Sequence, residues 1–337
     1  PRSPPSNMIL GKQQLEVLSA YQFVLSFLFM GIGFTLLLVY LLFTWLWSVS
    51  VLYLIWLYLD WDTPQKGGRP SEWIKGWKIW EHVRDYYPVK LVKTAELPPQ
   101  GKYIFGYHPH GIMCIGCFCN FNTNTTGFSR LFPGLRVSVA GLAGLFKLPI
   151  YRDYLMSVGL CPVSSESLDF LLSGPGRGGG QAVVIVVGGA NESLDGAPGE
   201  HRLTLRRRKG FVRLALKHGA SLVPVYSFGE NEIFSQLVFK EGSWARRLQQ
   251  VFKNIMGFSP CLFWGRGLIW PRSWGLLPFR KPVTTVVGRP IPVPHSPNPT
   301  PEEVNHYHRL YMEAIEEMFE EHKASCGVPP DKHLVFY

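Results

Sequence analysis

Between Val17 and Leu59 the chain carries no charged residue, an interval of 43 positions. That run limits the fold more than any other feature. A bilayer core takes about 20 helical residues, so the interval is too long for one span and fits two spans or a re-entrant hairpin. The bend would fall near Thr44 to Ser50, leaving both flanks on one side of the bilayer. Lys66, Arg69, Lys75 and Lys78 favour the cytosol for that side, although Asp60 and Asp62 lie nearer. A buried helix pair in a soluble protein is the alternative, but uncharged runs of this length are rare away from membranes.

Composition fills in the rest. With 337 residues, 46% hydrophobic and 14% aromatic, the chain can build one large domain beside a membrane segment, and disordered or fibrous classes are excluded. The net charge of +10 lies outside the first sixty residues, where Arg2, Lys12, Glu16 and Asp60 cancel. A basic domain beside a bilayer attracts anionic lipid, at about 1 kcal/mol per surface Lys or Arg, or an anionic cosubstrate. Nucleic acid is disfavoured, because the tryptophans sit in apolar surroundings and not along a basic groove. The six cysteines occur without any cleavable signal peptide, which points to reduced thiols on the cytosolic side. The sequons at Asn124 and Asn191 would then be unused. The chain begins at Pro1 without a methionine, which leaves a further upstream segment open.

From Ser71 to Tyr87, Trp73, Ile74, Trp77, Trp80, Val83 and Tyr87 recur at mostly helical spacing with Lys75, Lys78 and Arg84 between them. This predicts an amphipathic helix at the membrane interface, with a helix packed on a core nearly as good a reading. After Gly101 the pattern changes. Tyr103 to Tyr107, Ala182 to Val187, Leu222 to Ser227 and Val283 to Val287 read as strands, and Lys209 to His218 reads as a helix stopped by Gly219. Strands alternating with helices predict an α/β domain with a largely parallel sheet, whose ligand crevice lies beyond the carboxyl ends of the strands. The expected organisation is a membrane hairpin of two helices in 1–60, an interfacial segment in 61–100 and the α/β domain in 101–337.

Two segments follow predicted strands directly: Tyr107-His108-Pro109-His110-Gly111 and Gly188-Gly189-Ala190-Asn191-Glu192. The fold would therefore bring them to one edge. Histidine accepts a hydroxyl proton near neutral pH, contributing about 10² to 10⁴ in rate, and a carboxylate on its second nitrogen would fix the tautomer. Glu192 is the candidate for that role, against a loop carboxylate satisfied by backbone amides. A structural corner is the alternative for the histidine turn. His108, His110, Cys114, Cys117 and Cys119 also suggest zinc, but their spacing fits no standard module, and no metal is expected. There is no Gly-x-Ser-x-Gly elbow, and Gly174 to Gly180 lacks the ending of a phosphate loop and reads as a surface loop. The Gly188-Gly189 pair lacks dinucleotide spacing. Arg206, Arg207, Arg208 and Lys209, with Arg213 beyond, put positive charge at a helix start. That suits phosphates such as those of coenzyme A, or equally a solvated face.

The turn His108 to Gly111, the segment Val187-Gly188-Gly189-Ala190 with Glu192, and Arg208-Lys209-Gly210-Phe211 through Val223-Pro224 to Phe228-Gly229-Glu230-Asn231 resemble the diacylglycerol acyltransferase family. That family includes monoacylglycerol acyltransferases and wax synthases. Gly127-Phe128-Ser129, Met256-Gly257-Phe258-Ser259-Pro260-Cys261 and Val304-Asn305-His306-Tyr307-His308 look closest to its monoacylglycerol acyltransferase branch. The resemblance implies acyl-CoA-dependent acylation of monoacylglycerol or diacylglycerol at the endoplasmic reticulum, with no cofactor beyond the acyl-CoA cosubstrate. It maps the family's histidines onto His108 and His110 and its acidic position onto Glu192. Related glycerophosphate acyltransferases use His-x4-Asp, which is absent from this chain, so the acid must arrive from another strand. On this reading His110 is the base, Glu192 steadies the imidazolium, and turns at Gly111 and at Gly188, Gly189 supply oxyanion donors. Long-chain alcohols as acceptors, passive lipid anchoring, and self-association stay open.

Overall fold

The computed structural model describes residues 6–174, 179–256, 258, 260–270 and 272–337. Most of the glycine-rich Gly174 to Gly180 segment, together with Gly257 and Ser259 of the family-like motif, therefore lies outside the described residues.

Helix α1 (Ser6–Leu25) continues through a π-helical turn, Ser26–Met30, into α2 (Gly31–Leu41). Over Gly11–Leu41 this helix is long and apolar enough to cross a membrane. The chain turns at 42–46, where the bend was expected, and returns as α3 (Trp47–Leu59). The two-span hairpin needs correcting, because 13 residues rise only about 20 Å against a core of about 30 Å. Lack of charge marked the interval but not how the turn divides it. α3 leans on the long helix, with Ser50 Oγ donating to the Leu38 carbonyl at 2.8 Å. Its end is held by Arg152, which donates to the Asp60 carbonyl at 2.8 Å.

Gly76 divides the expected amphipathic helix into α4 (Glu72–Lys75) and α5 (Lys78–Tyr86). The apolar face of α5 is turned inward. Trp80, Val83 and Tyr86 are buried in one cluster with Ala20, Phe23 and Val24 of α1, while Trp73 and Trp77 stay exposed. An ion pair of 3.0 Å between Lys12 and Asp85 closes the edge of this contact.

The strands are β1 (Lys90–Lys93), β2 (Lys102–His108), β3 (Leu135–Gly141), β4 (Leu160–Pro162), β5 (Gly180–Val186), β6 (Arg202–Leu203), β7 (Ser221–Phe228), β8 (Ser235–Leu237), β9 (Leu262–Arg266), β10 (Trp274–Gly275), β11 (Thr284–Val287) and β12 (Val335–Phe336). Seven of them form one sheet in the order β1-β11-β7-β2-β5-β3-β4. The run from β7 to β4 is parallel, as expected. β11 pairs with β7 antiparallel and carries β1 with it, so the sheet is mixed. The central strands are buried on both faces, which is why they read as continuous apolar runs. Ile104 packs under the helices Gly210–His218 and Pro301–His322, whereas Phe105 points to Phe121 and Phe128 on the other side. The first of those helices stops at Gly219, whose φ of +61° suits glycine. The second opens with a capping box of Thr300 and Glu303.

Candidate active site

Strands β2 and β5 are neighbours, with Tyr107 opposite Val186, so the segments that leave their carboxyl ends emerge side by side. The anticipated convergence occurs. Glu192 sits in the short helix Gly189–Asp195, almost fully buried, and its Oε1 accepts the main-chain N–H of His110 at 2.7 Å. Its Oε2 accepts the N–H of Thr204 at 3.0 Å. The carboxylate therefore meets His110 through the backbone and not through the ring. The imidazole nearest to it is that of His108, whose Nδ1 lies 4.0 Å from Glu192 Oε2.

The two histidines are held differently. His108 is fully buried, and its Nε2 is 3.0 Å from the Tyr311 hydroxyl. That hydroxyl donates its one proton to the Gly106 carbonyl at 2.9 Å, so it must accept from His108 Nε2. The lone pair of neutral His108 then resides on Nδ1, which has no hydrogen-bond partner among the described residues and faces Glu192. His110 is half-buried, with Nδ1 2.9 Å from the Gly111 carbonyl. A carbonyl can only accept, so the proton of neutral His110 belongs on Nδ1 and the lone pair on Nε2. His110 is the histidine arranged to take a proton from outside.

Two of the glycines named from sequence make room for carboxylates. A Cβ on Gly188 would fall on Glu192 Oε2. Gly111, at φ +59°, would place a Cβ 2.7 Å from the Cγ of Glu230. Gly189 also has a positive φ, with open space where its Cβ would point.

Glu230 and Tyr311 are site residues that sequence reasoning missed. Glu230 is buried and accepts from the N–H groups of Ile115 (2.6 Å) and Gly116 (2.8 Å) and from the Tyr107 hydroxyl (3.1 Å). It thereby anchors the chain just beyond the histidine turn. Burial outweighs these donors and pushes its carboxyl up to about 7. A signal for it existed, because Glu230 follows β7, the other parallel neighbour of β2, so the strand-end rule applied to β5 extends to it. Tyr311 had no such signal. It sits mid-way along an ordinary amphipathic helix, Pro301–His322.

Arg206, Arg207 and Arg208 are exposed just before the helix Gly210–His218, as is Arg213 within its first turns. Lys209 is committed to Asn305 Oδ1 at 2.6 Å. The basic run starts two residues after Thr204, the residue bonded to Glu192, so positive charge adjoins the site. The zinc alternative finds no support among the described residues, which contain no group of three or more His, Cys, Asp or Glu able to hold a metal. Cys117 and Cys119 are buried, and burial raises both thiols.

An α/β sheet that presents a base-competent imidazole and a buried carboxylate at one strand edge, with exposed arginines in the segment that follows, has parts suited to acyl transfer from an anionic thioester. The family description "Diacylglycerol acyltransferase" matches residues 39–337, and the chain belongs to this family. It is an acyl-CoA-dependent glycerolipid O-acyltransferase. The chain is 66% identical to 2-acylglycerol O-acyltransferase 3 of Homo sapiens, covering 99% of this chain and 97% of that one. It is 52% identical to Diacylglycerol O-acyltransferase 2 of Homo sapiens, over 96% and 83% of the two chains. A solved structure, the 1-acyl-sn-glycerophosphate acyltransferase PlsC of Thermotoga maritima, aligns over 91% and 95% of the two chains at a TM-score of 0.40 and 13% identity. The long apolar helix and the family fit a membrane-associated enzyme.

Proposed function

We propose that the chain acylates monoacylglycerol to diacylglycerol and carries diacylglycerol on to triacylglycerol. The reading for the acceptor is drawn from the printed activities of its relatives, 2-acylglycerol O-acyltransferase 3 and Diacylglycerol O-acyltransferase 2. The 66% identity favours the third monoacylglycerol acyltransferase paralogue as its counterpart. The enzyme would reside in the endoplasmic reticulum membrane, with the α/β domain on the cytosolic side, where Lys66, Arg69, Lys75 and Lys78 flank the apolar interval.

The observation that carries the mechanism is the 2.7 Å bond from the His110 N–H to Glu192, which ties the histidine turn to the carboxylate across two parallel strands. His110 Nε2 takes the proton of the acylglycerol hydroxyl as its oxygen attacks the thioester carbonyl carbon. The tetrahedral intermediate collapses, the C–S bond breaks, and the imidazolium returns its proton to the sulfur of CoA. No acyl-enzyme forms. Glu192 holds the turn and stabilises positive charge on the histidines, chiefly His108, with Tyr311 fixing the His108 ring. Backbone amides near Gly111 and at Gly188 and Gly189 are the oxyanion donors of this reading, each contributing about 10² to 10³ in rate. Arg206, Arg207, Arg208 and Arg213 receive the phosphates of acyl-CoA, and Lys209, held by Asn305, adds its charge beside them.

The test is CoA release from detergent-purified protein given oleoyl-CoA with monoacylglycerol, diacylglycerol or a long-chain alcohol. His110→Ala should lower the acceptor-dependent rate by about 10² to 10⁴ while oleoyl-CoA binding persists. Turnover that survives this substitution removes His110 as the base. Preference for the alcohol would replace the glycerolipid reading with wax-ester synthesis.

A further inference from the structure

The helix Trp244–Met256 is inside out. A helix on a globular protein normally turns its apolar stripe to the core and its charges to water. Here Trp244, Leu248 and Val251 are 79%, 62% and 54% exposed, and Phe252 is exposed beside them, all on one helical face. The opposite face is polar and buried. Arg246 donates to Asp195 Oδ1 at 2.7 Å and to the Leu194 carbonyl, Gln249 donates to the Pro260 carbonyl at 3.0 Å, and Lys253 bonds Asn191. The excursion between β7 and β11 that contains this helix carries a second exposed apolar group, with Ile269, Trp270 and Trp274 at 80%, 75% and 81%. Apolar surface of this extent, in a helix that turns Arg246, Gln249 and Lys253 inward, implies a covering phase.

We propose that this excursion is a second bilayer contact, separate from the N-terminal helix, with Trp244, Leu248, Val251 and Phe252 seated in the acyl layer. Lipid is favoured over protein by continuity and by charge. Leu277, Ile233 and Phe234 from the base of the excursion lie in one buried cluster with Ala20, Phe23 and Val24 of α1, the helix that leads into the membrane-length segment. Arg280 pairs with Glu16 of α1, and Arg266 donates to the Tyr86 hydroxyl of α5 at 3.2 Å. The excursion is thus fastened to the membrane helix itself. Its rim exposes Lys240, Arg247 and Arg272, which suit anionic headgroups, and tryptophans belong at the headgroup level. The contact backs directly onto the helix bearing Glu192, through Arg246 to Asp195, Lys253 to Asn191 and Gln236 to the Ser193 carbonyl at 2.7 Å. The bilayer would therefore meet the protein next to the carboxylate helix, on the side from which a lipid-dissolved acceptor arrives. None of this depends on the acyl-transfer chemistry.

The test uses the full chain with Cys114, Cys261 and Cys326 replaced by serine, reconstituted in phosphatidylcholine–phosphatidylserine vesicles. An environment-sensitive NBD label is placed at Leu248→Cys, at Phe252→Cys as a second site on the apolar face, and at Asn254→Cys on the water-facing flank. Labels at 248 and 252 should show blue-shifted emission, loss of signal to acyl-chain doxyl quenchers and protection from aqueous iodide, while the label at 254 remains open to iodide. Equal iodide access at all three positions overturns the proposal. So does shielding of 248 and 252 from both quenchers, which would mean that a second copy of the chain or another segment covers the face.

Discussion

Glu230 decides more at this site than its place within the motif Phe228-Gly229-Glu230-Asn231 suggested. It is fully enclosed, accepts three donors and still has its carboxyl raised to about 7 from an ordinary 4.5 by loss of solvent. Between those two pH values the folded protein holds a proton that the unfolded chain has released, so stability falls as pH rises through that window, by on the order of 3 kcal/mol. Glu230→Gln removes the titration, at the cost of an acceptor for either Ile115 or Gly116, because an amide nitrogen only donates. Thermal unfolding in detergent should find that the parent loses stability between pH 5 and pH 8 and that the variant loses clearly less over the same range. Parallel pH profiles for the two proteins would mean that Glu230 is ionised throughout. The histidine pair was legible from sequence because two imidazoles around a proline at a strand end are chemically conspicuous. Their division of labour was not, since it depends on the Tyr311 hydroxyl and the Gly111 carbonyl, one contributed from two hundred residues away.

At the level of elements, the parallel strands announced themselves because burial on both faces leaves little room for polar residues, and four of the seven in the main sheet were read to within two residues. β1 and β3 escaped because they mix charged with apolar side chains, as in Lys90–Lys93 and at Arg136, and β4 because it is only three residues long. The helix Gly210–His218 and its stop at Gly219 were equally plain. Its entrance carries Arg206, Arg207 and Arg208 in solvent, which sets an expectation for kinetics. Replacing all three by alanine should raise the KM for acyl-CoA about tenfold at low salt, leave kcat nearly unchanged, and flatten the salt dependence of KM. An unchanged KM would assign the arginines to lipid headgroups or to plain solvation. The Ser71 to Tyr87 stripe shows where pattern alone fails. Periodicity identified an apolar face correctly, yet the same periodicity serves a bilayer or a neighbouring helix, and α1 took most of it.

For the molecule as a whole, that packing joins the long apolar helix to the main sheet. Trp80 is 2% exposed, donates through Nε1 to the Ile74 carbonyl at 2.7 Å and meets Phe118 edge-on at 5.1 Å. Phe118 in turn contacts Phe23 of α1 at 4.7 Å and belongs to the segment that follows the histidine turn. Trp80→Ala should therefore cost about 3–5 kcal/mol and expose the α1–α5 contact to limited proteolysis in detergent. A loss below about 1 kcal/mol would show the two parts to be independently stable.

The amino-acid order by itself determined that a long uncharged interval comes first, that a largely parallel sheet follows, and that His108, His110 and Glu192 come at or after strand ends of that sheet. These are local matters of charge, periodicity and strand length. Only the tertiary structure decided that the interval divides into one long helix and one short one, that Glu192 faces the ring of His108 and the backbone of His110, and that Glu230 and Tyr311 complete the site. It alone decided, too, that the helix Trp244–Met256 turns its apolar face outward. Such outcomes depend on which surfaces meet across long sequence separations, and a hydrophobic or acidic residue carries no record of the partner that will bury it.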